Sequence, residues 1–389
     1  MTVFLALWLL GQSISVLLVW HFTWQLGRSP LIITKPRVVV VVAVKGHGIQ
    51  FDDFLEHLFE QDYPNYRVIF AVESEHDPAV AAIERRRAAD PERVKLVVAG
   101  LSINEGQKVT NLRAALATTT PADEILVFAD ADIWPNRDWL RRLVEPVSRA
   151  EADVATAYPW LVVRDRRLST LVLASISASV ATLPRLPLLN VASGSSIAMR
   201  RERFFALGIL DAWCGAISDD LQLTNVVLRA KGSIVKPHEL LLRTPATTCS
   251  FRDVIGQAQR WYMLIRIYMP ALYGLAIFGA TVIAAGWIGA ALCAVAGRID
   301  GAITLLLGIG LAFLRTRAHA ALIARIWGKA ALAENRLFLM TGPLVTPFAA
   351  IANAAFAWSS LLLHSTTWAG ITYEVRGRQE TKVLSRSKG

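Results

Sequence analysis

Two aspartates separated by one residue follow a short apolar run in the first third of the chain. Asp130-Ala131-Asp132 comes after the run at residues 125–128. In an extended turn, side chains two residues apart point the same way, so both carboxylates can serve a divalent cation such as Mg²⁺ or Mn²⁺. Such a cation neutralises the charge that builds up on a departing nucleoside diphosphate. On this motif alone, aspartates that only shape a turn after a strand are an equal alternative.

A second acidic pair, Asp219-Asp220, lies behind Ser218 at the start of a segment predicted to be helical to about Ala230. One interpretation is local: Ser218 caps the helix, and acids in its first turn oppose the helix dipole. The other is catalytic: one acid takes the proton of an attacking hydroxyl group. Because neighbouring side chains on a helix diverge, only one of the two can face that hydroxyl.

A third motif is QAQRW, in which Gln257, Arg260 and Trp261 have the spacing i, i+3 and i+4. On a helix this spacing places all three on one face. Arginine can bind a diphosphate through two hydrogen bonds, and glutamine can donate another. The flat indole ring can pack against a sugar or an acceptor. The alternative is that Arg260 and Trp261 fix an amphipathic helix at a membrane surface, where both residue types are favoured.

Three long stretches without charge indicate a membrane protein. The chain has 389 residues, 54% hydrophobic and 19% charged, and residues 1–26, 271–297 and 337–363 contain no Lys, Arg, Asp or Glu. About 20 helical residues cross the hydrocarbon layer. The first stretch lacks the basic start and small-residue cleavage site of a signal peptide, so we expect an uncleaved anchor. Arg28, Lys35 and Arg37 follow it, which predicts that the polar region is cytoplasmic.

Between residues 37 and 149, β-branched apolar runs alternate with helical patterns. The predicted strands are residues 38–44, 66–72, 94–99 and 125–128, and the predicted helices are residues 51–61, 79–89, 108–117 and 138–149. This order predicts an α/β fold with a mostly parallel, Rossmann-like sheet, which binds ligands at the carboxyl ends of its strands. The apolar segment 168–189 is Ser-rich and ends in Pro184-Arg185-Leu186-Pro187, so it is predicted to be interfacial or buried.

The last third of the chain is predicted to cross the membrane outward at residues 271–297 and to return at about 302–318. Residues 337–363 would then enter and leave on the same side, as a re-entrant pair broken at Gly342-Pro343 and Pro347, which keeps the basic tail cytoplasmic. A single crossing that exports the tail is the alternative. The predicted organisation is an anchor (1–27), a catalytic domain (36–250), an interfacial helix (251–269), a membrane region (270–363) and a basic tail (364–389).

Composition excludes several other classes. The net charge of +10 comes without any nucleic-acid-binding motif, so a surface near anionic lipid explains the basic residues better than nucleic acid does. The three cysteines, Cys214, Cys249 and Cys293, have no CxxC spacing, which indicates neither a disulfide framework nor a zinc site. A transporter or receptor would carry polar groups within its spans, and these stretches lack them apart from residues such as Asn353.

The combination of a DxD-like turn, a later acidic pair and QxxRW, flanked by membrane segments, resembles the inverting family 2 glycosyltransferases with a GT-A fold. Three further stretches, residues 60–66 (EQDYPNY), 76–79 (HDPA) and 368–373 (WAGITY), resemble the ceramide glucosyltransferases of family 21, including their bacterial members. The resemblance runs from the anchor to about Arg378. It departs from the animal members in having both acids of Asp-Ala-Asp, where those members carry only the first.

The resemblance implies a role for each motif. Asp77 contacts the base region of the nucleotide, and Asp220 is the catalytic base. Asp130 and Asp132 contact the ribose, the diphosphate and Mg²⁺ or Mn²⁺. The residues expected to close over or touch the donor are Gln257, Arg260, Trp261, Lys45 and Lys108.

The resulting hypothesis is an enzyme that transfers one hexose, with inversion, from a UDP-sugar to the hydroxyl of a membrane lipid. The acceptor is expected to be a sphingolipid-like amphiphile in the cytoplasmic leaflet of a bacterial inner membrane. A polyprenyl-phosphate glycosyltransferase is the nearest competing interpretation. A processive polysaccharide synthase is a further one, although it normally surrounds its polymer with more helices than this chain supplies.

Overall fold

The first half of the chain folds around a seven-stranded sheet with the strand order β3-β2-β1-β4-β7-β5-β8. In this computed structural model, residues 2–26, 35–183, 189–237, 239–246 and 249–387 are described, so Arg28, residues 184–187 and Lys388 lie outside the described residues. The strands are β1 Val38–Ala43, β2 Tyr66–Val72, β3 Val94–Val98, β4 Ile125–Ala129, β5 Val154–Thr156, β6 Tyr158–Val162, β7 Ser196–Arg200, β8 Ile234–Val235 and β9 Leu241–Pro245. Strand β7 alone runs against the other strands of this sheet, and β6 and β9 form a separate parallel pair.

Helices cover both faces of the sheet, as the run of valines in β1 requires. Val38, Val40 and Val42 point into one apolar cluster, and Val39 and Val41 point into another on the opposite face. The helices of this domain are α2 Phe51–Phe59, α3 Val80–Ala89, α4 Gln107–Leu116, α5 Trp139–Ser148, α6 Leu168–Ala181, α7 Arg201–Ala206, α8 Ile209–Ala212 and α9 Asp219–Arg229. The predicted strands and helices between residues 38 and 149 are all present, with ends that differ by one or two residues.

Among the described residues, four helices are long and apolar enough to cross a membrane. They are α1 Thr2–Trp24, α11 Pro270–Val295, α12 Ile299–Trp327 and α14 Arg336–Ser359. The other elements of the second half are α10 Phe251–Tyr268, α13 Ala331–Glu334 and a 3₁₀ turn at Ser360–Leu362.

Helices α1, α11 and α12 form a bundle that closes around Trp8. A Cβ atom on Gly286 of α11 would overlap the Trp8 indole, and one on Gly308 of α12 would lie 2.8 Å from it. Trp287 adds an edge-on ring contact to Trp8, with centroids 5.0 Å apart. The two glycines let three backbones approach one large ring, as is usual where helices pack in a membrane. Gly286, Gly308 and Trp8 therefore lie at one level of the bundle.

Helix α14 packs against both α11 and α12. Near its start, Phe338 packs against His319 of α12, and near its end, the Ala357 carbonyl accepts a hydrogen bond of 2.8 Å from Tyr273 of α11. At 1.5 Å per residue, His319 and Tyr273 are about 17 and 20 Å from the Trp8 level, towards the same end of the bundle. Ala354 packs against Ala280 and Ala284, and the Trp358 indole N–H donates to Thr281 at 2.8 Å, so the last turns of α14 also contact the middle of α11.

Two predictions for this region are wrong in detail. Residues 337–363 do not form a broken re-entrant pair, because α14 continues through Pro343 and Pro347. Each proline removes one backbone hydrogen bond, and packing against α6, α11 and α12 holds the rest of the helix together. The return helix does not end near residue 318 either, since α12 continues to Trp327 and carries Arg325 in its last turn.

A layer of helices separates the bundle from the sheet. Helix α6 is too short to span and is mostly buried, as predicted for this segment, and it packs along α14. Helix α10 contacts both α6 and α14. Trp160 of β6 ties the layer to the first domain, because its indole N–H donates to Asn335 at 3.0 Å.

The C-terminal segment, predicted as a basic tail, is instead a three-stranded antiparallel sheet made of β10 Ser365–Trp368, β11 Ile371–Gly377 and β12 Glu380–Arg386. It packs on the first domain, where the Gln107 backbone N–H donates to the Tyr373 hydroxyl at 3.2 Å and Arg386 pairs with Glu73 at 3.0 Å. The C-terminal sheet therefore lies on the same side of the bundle as the seven-stranded sheet.

This arrangement predicts which residues face the same side of a membrane. In a Cys214→Ser background, single cysteines at Lys95, Arg298 and Lys382 report on the first domain, the α11–α12 turn and the C-terminal sheet; all three native residues are exposed. We expect an impermeant maleimide to label positions 95 and 382 together in sealed vesicles of one orientation, and position 298 only from the opposite side. If positions 298 and 382 are labelled from the same side, α14 spans the membrane and the arrangement is wrong.

Candidate active site

The loops that follow β1, β2 and β4 carry the predicted site residues Lys45, Asp77 and Asp130, and they meet at one edge of the sheet. These strands are parallel neighbours, so the loops that follow them open on one edge. The loop that leads into β7 reaches the same place, because the Asp130 backbone N–H faces the Ser195 carbonyl at 3.5 Å. The first turn of α4 brings in Lys108.

Lys108 joins two of the acidic motifs. Its ammonium lies 2.7 Å from Asp130 Oδ1 and 3.2 Å from Asp219 Oδ1, and its side chain is 12% exposed. Burial alone would lower the pKa of Lys108, but the surrounding carboxylates outweigh this effect and raise it above its ordinary value. The ammonium is therefore a fixed positive charge between the turn after β4 and the start of α9.

The two acids at the start of α9 differ in burial. Asp219 is 2% exposed, and its second oxygen, Oδ2, has no hydrogen-bond partner among the described residues. Burial raises the pKa of Asp219 to about 7, with Lys108 opposing the rise. Asp220 is less buried and accepts hydrogen bonds from the Gly194 backbone N–H at 2.9 Å, from the Leu221 backbone N–H at 2.7 Å and from Ser218 Oγ. Of the two acids, Asp220 is the one that a substrate can reach.

Gly194 allows the close approach on which this geometry depends. A Cβ atom there would lie 2.7 Å from Lys108 Nζ and 3.2 Å from Asp220 Oδ2. Only glycine therefore lets the loop before β7 contact both groups without moving the lysine. The run of small residues at 192–196 was the signal in the sequence from which this close approach could have been predicted.

Asp130 and Asp132 are the residues that could hold a divalent cation. Asp132 opens to solvent on one side while protein atoms crowd its carboxyl on the other, and this desolvation, together with repulsion from Asp130, raises its pKa to about 6. No cluster of three or more His, Cys, Asp or Glu suited to a metal exists in the described part of the chain. The donor set fits Mg²⁺ or Mn²⁺ held by one or two carboxylates, with phosphate oxygens and water completing the shell.

Lys45 and Asp77 belong to a second cluster on the same sheet edge. Lys45 pairs with Glu73, which also binds Arg386 of β12. Both oxygens of Asp77 accept from the Gly46 backbone N–H at 3.0 Å, and one accepts from the Ala79 backbone N–H at 2.9 Å. Asp77 thus fixes the loop after β1 to the start of α3, next to the carboxyl ends of β1 and β2.

The QAQRW run lies on α10, as its spacing predicts. Ser250 and Asp253 form a capping box at the helix start, with hydrogen bonds of 3.3 and 2.8 Å. Gln257, Arg260 and Trp261 are all half-buried, and each residue turns the helix by about 100°. Their common face is therefore broad, with Arg260 and Trp261 at its two edges.

The two edges face different surroundings. Trp261 packs against the apolar cluster formed by α6, α12 and α14, whereas the guanidinium of Arg260 lies 5.4 Å from the centre of the Trp368 ring on β10. Burial lowers the pKa of Arg260, and the Asp130 carboxylate acts on it in the opposite direction. Helix α10 therefore connects the acidic cluster with the membrane layer.

Comparison with known proteins decides what kind of site this is. The model of glycosyl transferase family 21 matches residues 3–381. The chain belongs to glycosyl transferase family 21. The ceramide glucosyltransferase of Komagataella phaffii is 25% identical over 137 residues, which make up 34% of this chain and 26% of that protein.

One solved structure agrees with this assignment in fold. The mannosyltransferase PcManGT from Pyrobaculum calidifontis, in complex with GDP-Man and Mn²⁺, is 20% identical, covers 86% of this chain and 98% of its own, and has a TM-score of 0.53. TarS of S. aureus, in complex with UDP-GlcNAc, is 12% identical, covers 90% of this chain and all of its own, and has a TM-score of 0.40.

Membership of family 21 confirms the predicted family, the enzyme class and the GT-A-like fold with apolar helices at both ends of the chain. The family 21 enzyme brings Lys108, Asp130, Asp219 and Asp220 into one cluster, and the charge of Asp130 also acts on the pKa of Arg260. The roles predicted for the site residues, Lys45, Asp77, Asp132, Gln257 and Trp261 among them, stay predictions. Sequence reasoning missed Trp368 and Gly194 as parts of this site.

Lys108 is predicted to hold the site together in this family 21 glycosyltransferase. Lys108→Met leaves Asp219 buried without its partner, and removing one member of a buried ion pair typically destabilises a fold by about 3 kcal/mol or more. Denaturant titration of the solubilised protein measures this loss. Exposed Lys95→Met is the matched control and should change the midpoint little.

Asp219→Asn provides the complementary test, because it removes the buried charge. In the Lys108→Met background we expect this substitution to recover part of the lost stability. If the two substitutions instead add their separate losses, the pair does not act as a unit.

Proposed function

We propose that this protein transfers a hexose, with inversion, from a UDP-sugar to the hydroxyl of a membrane lipid in the cytoplasmic leaflet. One observation carries the proposal: the acidic cluster around Lys108 and the apolar helix layer meet at a single helix, α10. A site for a charged, water-soluble donor therefore borders a surface suited to lipid.

The donor would lie along the ends of β1, β2 and β4. Asp77 and Lys45 would bind its nucleotide part, and Arg260 its diphosphate. Asp130 and Asp132 would hold Mg²⁺ or Mn²⁺, in keeping with the Mn²⁺ of the mannosyltransferase structure. When bound, this cation would neutralise the charge of the departing diphosphate.

The acceptor hydroxyl would be activated by Asp220. The oxygen attacks the anomeric carbon from the side opposite the diphosphate, while its proton passes to an oxygen of Asp220. Displacement from the opposite side inverts the configuration at that carbon. Asp219 is too deeply buried to serve instead, and through Lys108 it positions Asp130.

The surroundings of Trp261 support a lipid acceptor. Its indole packs against buried apolar residues of α6, α12 and α14, whereas the neighbouring Arg260 contacts Trp368. A lipid hydroxyl at the membrane surface could reach Asp220 along this wall while its chains stay among apolar side chains. A sphingolipid-like acceptor is further supported by the partial similarity to a ceramide glucosyltransferase.

The proposal is tested with purified protein in lipid nanodiscs that contain Mg²⁺ or Mn²⁺. UDP-sugars are offered together with ceramide, diacylglycerol or a polyprenyl phosphate, and the products are identified by mass spectrometry. A β-linked product on a lipid hydroxyl from a UDP-α-sugar supports the proposal. Transfer to the polyprenyl phosphate alone, or retention of configuration, refutes it.

Asp220→Asn is expected to lower kcat by about 100-fold or more, because a general base typically contributes 10²–10⁴-fold. Exposed Glu202→Gln on α7 is the matched acid-to-amide control and should retain activity. A kcat within a few-fold of the wild type for Asp220→Asn would show that another group takes the proton.

Removal of divalent cations by a chelator should abolish turnover, and added Mn²⁺ should restore it. Asp132→Ala removes one of two proposed ligands, so we expect it to raise the Mn²⁺ concentration for half-maximal activity by about tenfold or more. Full activity in the chelator, or an unchanged Mn²⁺ dependence in Asp132→Ala, contradicts the assigned metal site.

A further inference from the structure

The cation of Arg260 is held differently from those of Arg243 and Arg325, which also lie near the helix layer. Arg243 pairs with Glu334 at 3.6 Å, and Arg325 donates to the Leu26 carbonyl at 2.9 Å. Within the described part of the chain, Arg260 has neither a carboxylate within ion-pair distance nor a hydrogen-bond acceptor. Its guanidinium makes a cation–π contact with the ring of Trp368. The cation is therefore held by an aromatic face.

An aromatic face holds a guanidinium without using any of its N–H groups. The attraction comes from the ring quadrupole, and the five donors point away in the plane of the cation. A guanidinium held in this way keeps its full capacity for two parallel hydrogen bonds to phosphate oxygens. A carboxylate in the place of Trp368 would occupy the same donors and compete with a diphosphate.

Trp368 is itself fixed by the C-terminal sheet. It pairs with Ile371 across the β10–β11 hairpin and packs in an apolar cluster around Met263, Tyr268 and Tyr373. The connecting residue Ala369 has φ of 48°, in the left-handed region that a two-residue hairpin turn requires. The ring position is thus determined by the hairpin and its packing on α10.

The same sheet is joined to the segment that carries the proposed base. The Tyr268 hydroxyl of α10 donates to the Arg378 carbonyl at 2.9 Å and accepts from the Ile217 backbone N–H at 3.1 Å. Ile217 comes one residue before the cap of α9, whose first turn carries Asp220. The C-terminal sheet, α10 and the start of α9 therefore form one connected unit.

We propose that Trp368 is a positioning residue that presents the Arg260 guanidinium to the diphosphate of the donor, and that the C-terminal sheet is thereby part of the donor site. This proposal rests on the proposed function, since it needs a nucleoside diphosphate as the donor group. Trp368 acts through Arg260 and takes no part in the chemistry.

The test compares two ligands that differ only in phosphate. Equilibrium binding of UDP and of uridine, both with Mn²⁺, is measured for the wild type, Trp368→Leu and Trp368→Phe. Loss of a partly buried cation–π contact should weaken UDP binding by about 3- to 30-fold in Trp368→Leu, while uridine binding stays unchanged. Trp368→Phe keeps a ring and should recover most of the affinity. Trp20→Leu, which removes a half-exposed tryptophan of α1, is the control and should bind UDP normally.

A double substitution separates positioning from a structural effect. In an Arg260→Ala background, Trp368→Leu should weaken UDP binding no further, because the contact is already absent. Equal losses for UDP and uridine, or an added loss in the Arg260→Ala background, would show that Trp368 only supports the fold. The Trp368→Phe variant keeps the test valid if Trp368→Leu does not fold.

The outcomes also separate this proposal from the one it rests on. If the wild type binds UDP and Trp368→Leu binds it equally well, only the role of Trp368 is refuted. If the wild type does not bind UDP, the proposed donor is wrong and the role of Trp368 falls with it.

Discussion

The contact of one ammonium group with two carboxylates from different elements is the interaction on which the site depends. Lys108 lies between Asp130, after β4, and Asp219, at the start of α9, with the Asp220 carboxylate nearby. Without a cation at this point, three acids gathered at one sheet edge would repel one another in a partly dry environment. Lys108 makes their closeness stable and fixes the distance between the turn proposed to bind the metal and the helix proposed to carry the base.

Because this distance is fixed, Asp220 should keep its place when a donor and its metal bind. A cation bound by Asp130 would compete with Lys108 for the same carboxylate. The attraction of Lys108 for Asp219 would remain, so α9 and Asp220 would keep their place when a donor and its metal arrive. The half-buried Asp220, tied to Gly194 and Leu221, is positioned by hydrogen bonds that do not involve the donor. The groups that hold the proposed base Asp220 in place are therefore not the groups proposed to bind the leaving diphosphate.

How much of this could be predicted depends on the range of each interaction. The consecutive valines of β1 predict burial on both faces of the sheet. The helical spacing of Gln257, Arg260 and Trp261 is local, so it too could be predicted from the sequence. The path of α14 could not, because proline inside a helix is compatible with either a break or continuity, and packing against α6, α11 and α12 decides between them. The alternation in residues 371–377 was available as a strand signal, but nothing local in it shows that Trp368 faces an arginine more than 100 residues earlier.

The proposed reaction needs a charged donor and an apolar acceptor to meet, and neither can enter the solvent of the other without a large loss of free energy. Helix α10 meets this need through two adjacent residues. Because successive side chains diverge by about 100°, Arg260 faces the Trp368 ring on β10 while Trp261 faces the apolar layer. Helix α14 packs behind that layer against α6, α11 and α12, so the apolar wall continues into the helix bundle. A lipid could therefore approach with its hydroxyl leading and its chains still covered, and only the hydroxyl would have to leave the apolar region.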